Sequence, residues 1–187
     1  QANATLRETY ETRRDWFRFA TVREREIDQM GDPGARHAAI IELASLATER
    51  VRQLEVPIRL WRQVLEADGE HPEALEALED LYERAKSYRE LVTILERRFD
   101  AAAEIDPALA ERLALLYASK LDEPDQAERW WRVLLEATPD HRKAQSEIKR
   151  RLLERRDWDA LEDVHREAGT LEAWGRTLEG QAKAAES

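Results

Sequence analysis

Apolar residues return along this chain every three or four positions. Leu75, Leu78, Leu81 and Tyr82 make one such stripe, and Leu109, Leu113, Leu116 and Tyr117 another. That spacing keeps them on one face of an α-helix. Short polar breaks separate the stripes: Gly31-Asp32-Pro33-Gly34, Asp68 to Pro72, Asp106-Pro107, Asp122 to Asp125 and Thr138-Pro139-Asp140. Pro33, Pro72, Pro107 and Pro124 stand just inside helix starts, where a missing N–H costs least, and Pro57 is expected to do the same for the helix carrying Trp61. Asp15, Ser87 and Asp157 each precede an aromatic and suit N-cap positions after a basic last turn. The pattern predicts helices near 3–14, 15–29, 33–53, 56–67, 71–85, 87–103, 106–120, 123–137, 141–155, 157–168 and 170–185. Paired by the short breaks, these give hairpins over 3–29, 33–67, 71–103, 106–137 and 141–168, with a terminal helix 170–185. No linker divides the chain, so one array over 1–187 is expected. It begins at Gln1 rather than Met, which suits a piece of a larger protein.

The chain also repeats itself. Trp61 and Trp131, Arg62 and Arg132, Leu65 and Leu135, and Glu66 and Glu136 stand 70 positions apart, as do Ala67 and Ala137, His71 and His141, and Ala74 and Ala144. The segment Tyr82 to Leu91 matches Leu152 to Leu161 at the same offset, and Tyr10 to Phe19 matches the former at 72. An aromatic recurs at Trp16, Tyr88 and Trp158. Repetition at this length is the mark of a stacked helical-hairpin architecture, in which a long period of about 70 residues holds two different hairpins. Trp16, Trp61, Trp131 and Trp158 fall on repeat positions and are expected in the core. Trp130 points about 100° away from Trp131 on a helix and is expected at a seam or partly exposed. Trp174 lies on the terminal helix.

These residues resemble the tetratricopeptide repeat family. Leu113, Ala114 and Tyr117 match its first helix, and Ala127, Trp131, Leu134 and Pro139 match its second, with one extra residue in the turn between. The unit at Leu43, Ala44, Trp61 and Val64 is looser. The resemblance implies an all-α fold: a right-handed superhelical array of about five antiparallel helical hairpins plus a terminal helix. It also implies that the first helix of each hairpin lines a concave groove. Projected onto this chain, that groove carries Ala38, Ile41 and Ser45, then Glu73, Glu76 and Asp80, then Glu111, Leu115 and Ser119, then Lys143, Ser146 and Arg150. The partner-binding residues expected from it are Ala38, Ile41, Ser45, Glu73, Glu76, Asp80, Glu111, Leu115, Lys143 and Arg150.

Composition narrows the function. The 187 residues hold 30 Lys and Arg against 40 Asp and Glu, a net charge of -10, and no Cys. That balance opposes broad contact with nucleic acid or anionic membrane. It excludes disulfides and thiolate chemistry. No apolar run approaches the roughly 20 residues that span a bilayer, so no membrane insertion is expected. A soluble, cytoplasmic setting is the first expectation, with a periplasmic or secreted one left open. No phosphate-binding loop, dinucleotide turn or nucleophile elbow occurs, and His37, His71, His141 and His165 include no pair at i+3 or i+4. No enzyme activity, metal or cofactor is implied. His71 and His141, at matching helix starts, read as capping or packing residues.

Charge is distributed unevenly. From Glu66 to Glu83 there are eight acidic residues and no Lys or Arg. One long period later the same span carries Arg142, Lys143, Lys149, Arg150 and Arg151, with Arg155 and Arg156 following. The acidic centre suits a basic or mixed-charge protein or peptide, which points to a non-catalytic interaction scaffold. Two other readings stay open: a structural spacer or self-associating segment, from the alternation of charge, and an RNA-binding helical repeat, from the basic span alone.

Overall fold

The computed structural model describes residues 2–167 and 175–176. Among them are ten α-helices, one π-helical turn and no strand. The chain forms two compact units, residues 1–101 and 102–187. The expected helix 170–185, with Trp174, lies outside the described residues.

The first unit holds α1 (Ala2–Thr12), α2 (Trp16–Asp28), α3 (Pro33–Arg50), α4 (Glu55–Ala67), α5 (Pro72–Ala85) and α6 (Tyr88–Ala101). Each helix packs on the next in chain order, making three hairpins. The starts follow local chemistry. Asp32 accepts a hydrogen bond from the Ala35 N–H at 2.8 Å ahead of Pro33, and the His71 Nδ1 accepts from the Ala74 N–H at 3.3 Å ahead of Pro72. Pro57 also stands just inside its helix start. Helix α4 begins two residues before it, so Pro57 is buried in the third helical position, where its nitrogen still has no intrahelical acceptor to miss. Between α3 and α4 sit Leu43, Ala44 and Ala47, nearly or wholly without exposure, against Leu60, Trp61 and Val64. The alanines allow close approach, and each buried Leu contributes about 1.5–3 kcal/mol of transfer free energy.

The second unit holds α7 (Pro107–Leu116), the π-turn Tyr117–Leu121, α8 (Pro124–Ala137), α9 (Arg142–Arg155) and α10 (Trp158–Glu167). Asp106 caps α7 through the Ala108 and Leu109 N–H groups at 3.0 and 3.2 Å. The extra residue between the two helices of this hairpin is taken up by the π-turn. It closes when the Glu123 N–H reaches the Tyr117 carbonyl at 2.9 Å, with Asp122 left-handed at φ 55°. Helix α8 packs on both α7 and α9. Trp130 is buried at 3% exposure beside Trp131, so of the two expected outcomes partial exposure does not hold. Trp16 and Trp158 are half-buried rather than fully in the core.

The long repeat is written into the turns. Arg14, Lys86 and Arg156 all adopt positive φ of 55–57°. The residue after each, Asp15, Ser87 or Asp157, donates its N–H back to Tyr10, Tyr82 or Leu152 at 2.9 Å. That is the same left-handed helix stop at the first, third and fifth hairpins. At the first and fifth, Asp15 and Asp157 also cap the helix that follows, accepting from the Arg18 and Ala160 N–H groups.

Candidate functional site

The first helices α3 and α5 meet side by side in the first unit. The Ser45 hydroxyl on α3 donates to the Glu73 carboxylate on α5 at 3.1 Å, and the His37 and His71 rings stand edge to face at 6.2 Å. Helical spacing then extends one surface along both: Ala38, Ile41 and Ser45 from α3, and Glu73, Glu76 and Asp80 from α5. Ala38 and the three acids are exposed, while Ile41 and Ser45 are half-buried. Asp80 is drawn to Arg84 one turn on, at 3.1 Å. Glu76 has no ion pair among the described residues. The surface is thus acidic, with a small apolar edge at Ala38 and Ile41.

The second unit pairs its first helices in the same way but with opposite charges. Glu111 on α7 lies 3.6 Å from Lys143 Nζ and 3.8 Å from His141 Nε2, both at the start of α9. Lys143 also stands over the buried Trp131 ring at 5.7 Å. The His141 Nδ1 accepts from the Ala144 N–H at 3.2 Å, repeating the cap at His71. Leu115 is half-buried. Arg150 is exposed yet held by Glu147 and Glu154, each at 2.7 Å, and the Glu147 hydrogen bond above all keeps its guanidinium protonated beyond the ordinary arginine value. An open concavity of about 390 Å³ runs along α9 between Arg142, Ser146, Lys149, Arg150 and Leu153.

Much of the basic span is answered within the chain. Arg151 reaches Asp125 at 2.7 Å, and Arg155 reaches Glu128 at 3.0 Å. Glu128 itself is buried, with one oxygen taking hydrogen bonds from both Arg132 and Arg155. Sequence reasoning had no handle on this carboxylate, since one Glu among forty acidic residues carries no signal until its neighbours are known.

A second concave feature escaped the sequence as well. A cleft of about 490 Å³ lies between α4 and α6, with α5 beneath it, and Tyr82 borders it. Burial pushes the Tyr82 phenol above its ordinary value; the Arg62 charge opposes this and the Glu90 charge adds to it. Arg62, Leu65 and Glu66 had registered as repeat matches, Leu78 and Tyr82 in an apolar stripe and Glu66 in the acidic run, while Thr93, Ile94 and Arg97 had not registered.

No group of three or more His, Asp or Glu side chains among the described residues is arranged to hold a metal ion. No helix there is long and apolar enough to cross a membrane.

Paired helices, recurring left-handed turns and neighbouring first helices decide the architecture. The fold is tetratricopeptide-like. Neither a protein-family model nor a curated protein matches the chain. Among solved structures it is similar to the crystal structure of MamA, at 14% identity and TM-score 0.43, over 97% of this chain and 98% of that one. It is similar to YrrB, described as a TPR protein with an unusual peptide-binding site, at 20% identity and TM-score 0.43, over 69% of this chain and 65% of that one. A tetratricopeptide repeat protein from Parabacteroides merdae is 14% identical with TM-score 0.46, over 96% of this chain and 77% of that one.

Proposed function

We propose that this chain is a non-catalytic interaction scaffold that binds a basic or mixed-charge peptide or protein segment on the exposed faces of its first helices. The observation that carries the reading is the surface shared by α3 and α5. Glu73, Glu76 and Asp80 stand in a row on one helix, beside Ala38, Ile41 and Ser45 on the other, and Ser45 is hydrogen-bonded to Glu73. A preformed surface of this kind loses little conformational freedom on binding. Its acids select basic side chains, and Ala38 and Ile41 accept an apolar one. On the second unit, Glu111, Leu115, Lys143 and Arg150 would extend the preference to mixed charge.

Charge-driven self-association and RNA binding are less well supported. Both need the basic residues of α9 to be available, and Arg150, Arg151 and Arg155 are each engaged by carboxylates of the same chain. The test is a peptide-display selection against the intact chain. Enrichment of Lys- and Arg-containing segments, displaced by added salt, is the expected result. Selection of uniformly acidic peptides, or of none, would overturn the reading.

A further inference from the structure

Two seams between successive second helices in the first unit differ in how they close. Between α2 and α4, Arg59 reaches Glu24 at 2.7 Å and bridges the seam. Between α4 and α6 no such pair forms, and the cleft of about 490 Å³ remains, within the roughly 300–1,000 Å³ typical of ligand sites. Its floor is apolar: Leu65, Leu78 and Ile94, all buried. Tyr82 borders it with only 6% of its surface exposed. Its phenol hydroxyl has no hydrogen-bond partner among the described residues and is not one of the fully buried polar atoms, so water or a ligand can reach it.

The charges around the cleft are also unanswered. Arg62 and Glu90 both act electrostatically on the Tyr82 phenol, in opposite senses, so they share its end. Arg97 reaches the loop after α4, where its Nη2 lies 3.7 Å from the position a Cβ on Gly69 would take, and Glu66 stands on that side. Each end therefore holds one guanidinium and one carboxylate, and none of the four is ion-paired among the described residues. The counterpart of Arg62 one long period on is Arg132, which is tied to Glu128 at 2.9 Å.

We propose that this cleft is a second docking site, which takes one large apolar side chain of a protein partner flanked by an acidic and a basic residue. Charge complementarity selects this occupant. A segment of a single sign meets a like charge at both ends, and a purely apolar one strips water from four unpaired ions. A mixed-charge segment supplies a carboxylate for a guanidinium and Tyr82 at one end, and a cation for the carboxylate at the other. Its apolar side chain covers Leu65, Leu78 and Ile94. The proposal shares with the scaffold reading only that the occupant is a protein, since the surface is a different one.

The test uses the intact chain and a set of synthetic helical peptides: a Phe flanked one turn away by Glu and by Arg, the same peptide with Ala for Phe, and versions flanked by two Glu or two Arg. The readouts are fluorescence anisotropy and the ring NMR signals of Tyr82, assigned by their loss in Tyr82→Phe. The mixed-charge Phe peptide is expected to move the Tyr82 signals and to bind at least about tenfold tighter than the others, as a central aromatic anchor does. Thr93→Arg, at an exposed position on the rim, is expected to weaken it by a similar factor, and Tyr82→Phe by severalfold. Glu73→Gln with Glu76→Gln and Asp80→Asn is expected to leave it unchanged, so failure here is distinct from failure of the scaffold reading. The proposal is overturned if no peptide moves Tyr82. It is equally overturned if a single-sign peptide binds as well, or if neither Thr93→Arg nor Tyr82→Phe alters the affinity.

Discussion

The Trp61 indole donates its N–H to the Thr48 hydroxyl at 2.9 Å, and Thr48 passes its own proton to the Ala44 carbonyl at 2.8 Å. Trp61 is 1% exposed, so no water substitutes for Thr48. Thr48→Val keeps the volume but strands a buried donor. The expected loss is about 1–3 kcal/mol by urea unfolding, with Thr48→Ser close to the parent. Equal stability of Thr48→Val would contradict the role given to this bond.

Lys86 sits at φ 57°, a conformation that costs L-residues and costs glycine nothing. Lys86→Gly is expected to raise stability by up to about 1 kcal/mol, because relief at the left-handed stop outweighs the added freedom of the unfolded chain. Lys86→Ala should bring no gain. Thermal unfolding of the three proteins checks both.

Glu128 and Arg155 join α8 to α9 from a buried carboxylate, whereas Arg150 and Glu154 pair one turn apart on an exposed face of α9. A double-mutant cycle on the first pair should give about 1 kcal/mol, since truncating Arg155 leaves the buried Glu128 with Arg132 alone while Arg155 itself stays solvated. The second pair should give about 0.5 kcal/mol or less. Two similar values would show that burial does not decide their worth.

Tyr82 gives the chain an alkaline signature. Burial raises its phenol pKa above that of an unfolded tyrosine, about 10. Above pH 10 the folded state keeps a proton that the unfolded state releases. This contribution to stability is whole below that pH and falls away as pH rises through the folded-state value. Ultraviolet titration should find a tyrosine that ionises late, and Tyr82→Phe should remove it and flatten the alkaline loss of stability.

Helix starts were legible because they rest on local chemistry: Asp32-Pro33, His71-Pro72 and Asp106-Pro107 cap the helices they announce. The matched histidines at 71 and 141 do the same work in both copies. Pro57 marked its helix start to within a turn, because a proline fits any of the first helical positions. Trp130 left a seam or partial exposure open, because one helix's periodicity tells which way a side chain points, not what waits there; its burial removes the second. The acidic run from Glu66 to Glu83 was readable from the sequence itself, and the row Glu73, Glu76 and Asp80 within it came from the family pattern. Its neighbour across the surface, Ser45, came from the same pattern, and the α4–α6 cleft from neither source. A cleft depends on how far apart three helices settle, and residue order does not state that.

The scaffold reading is tested most directly by calorimetric titration of a display-selected basic peptide into the parent chain and into the variant carrying Glu73→Gln, Glu76→Gln and Asp80→Asn. Removing three exposed acids that accept a basic ligand should weaken binding by about tenfold or more at low salt and narrow the gap as salt is raised. Equal affinity for the two proteins, at any salt, would contradict the claim that the α3–α5 face is where the partner sits.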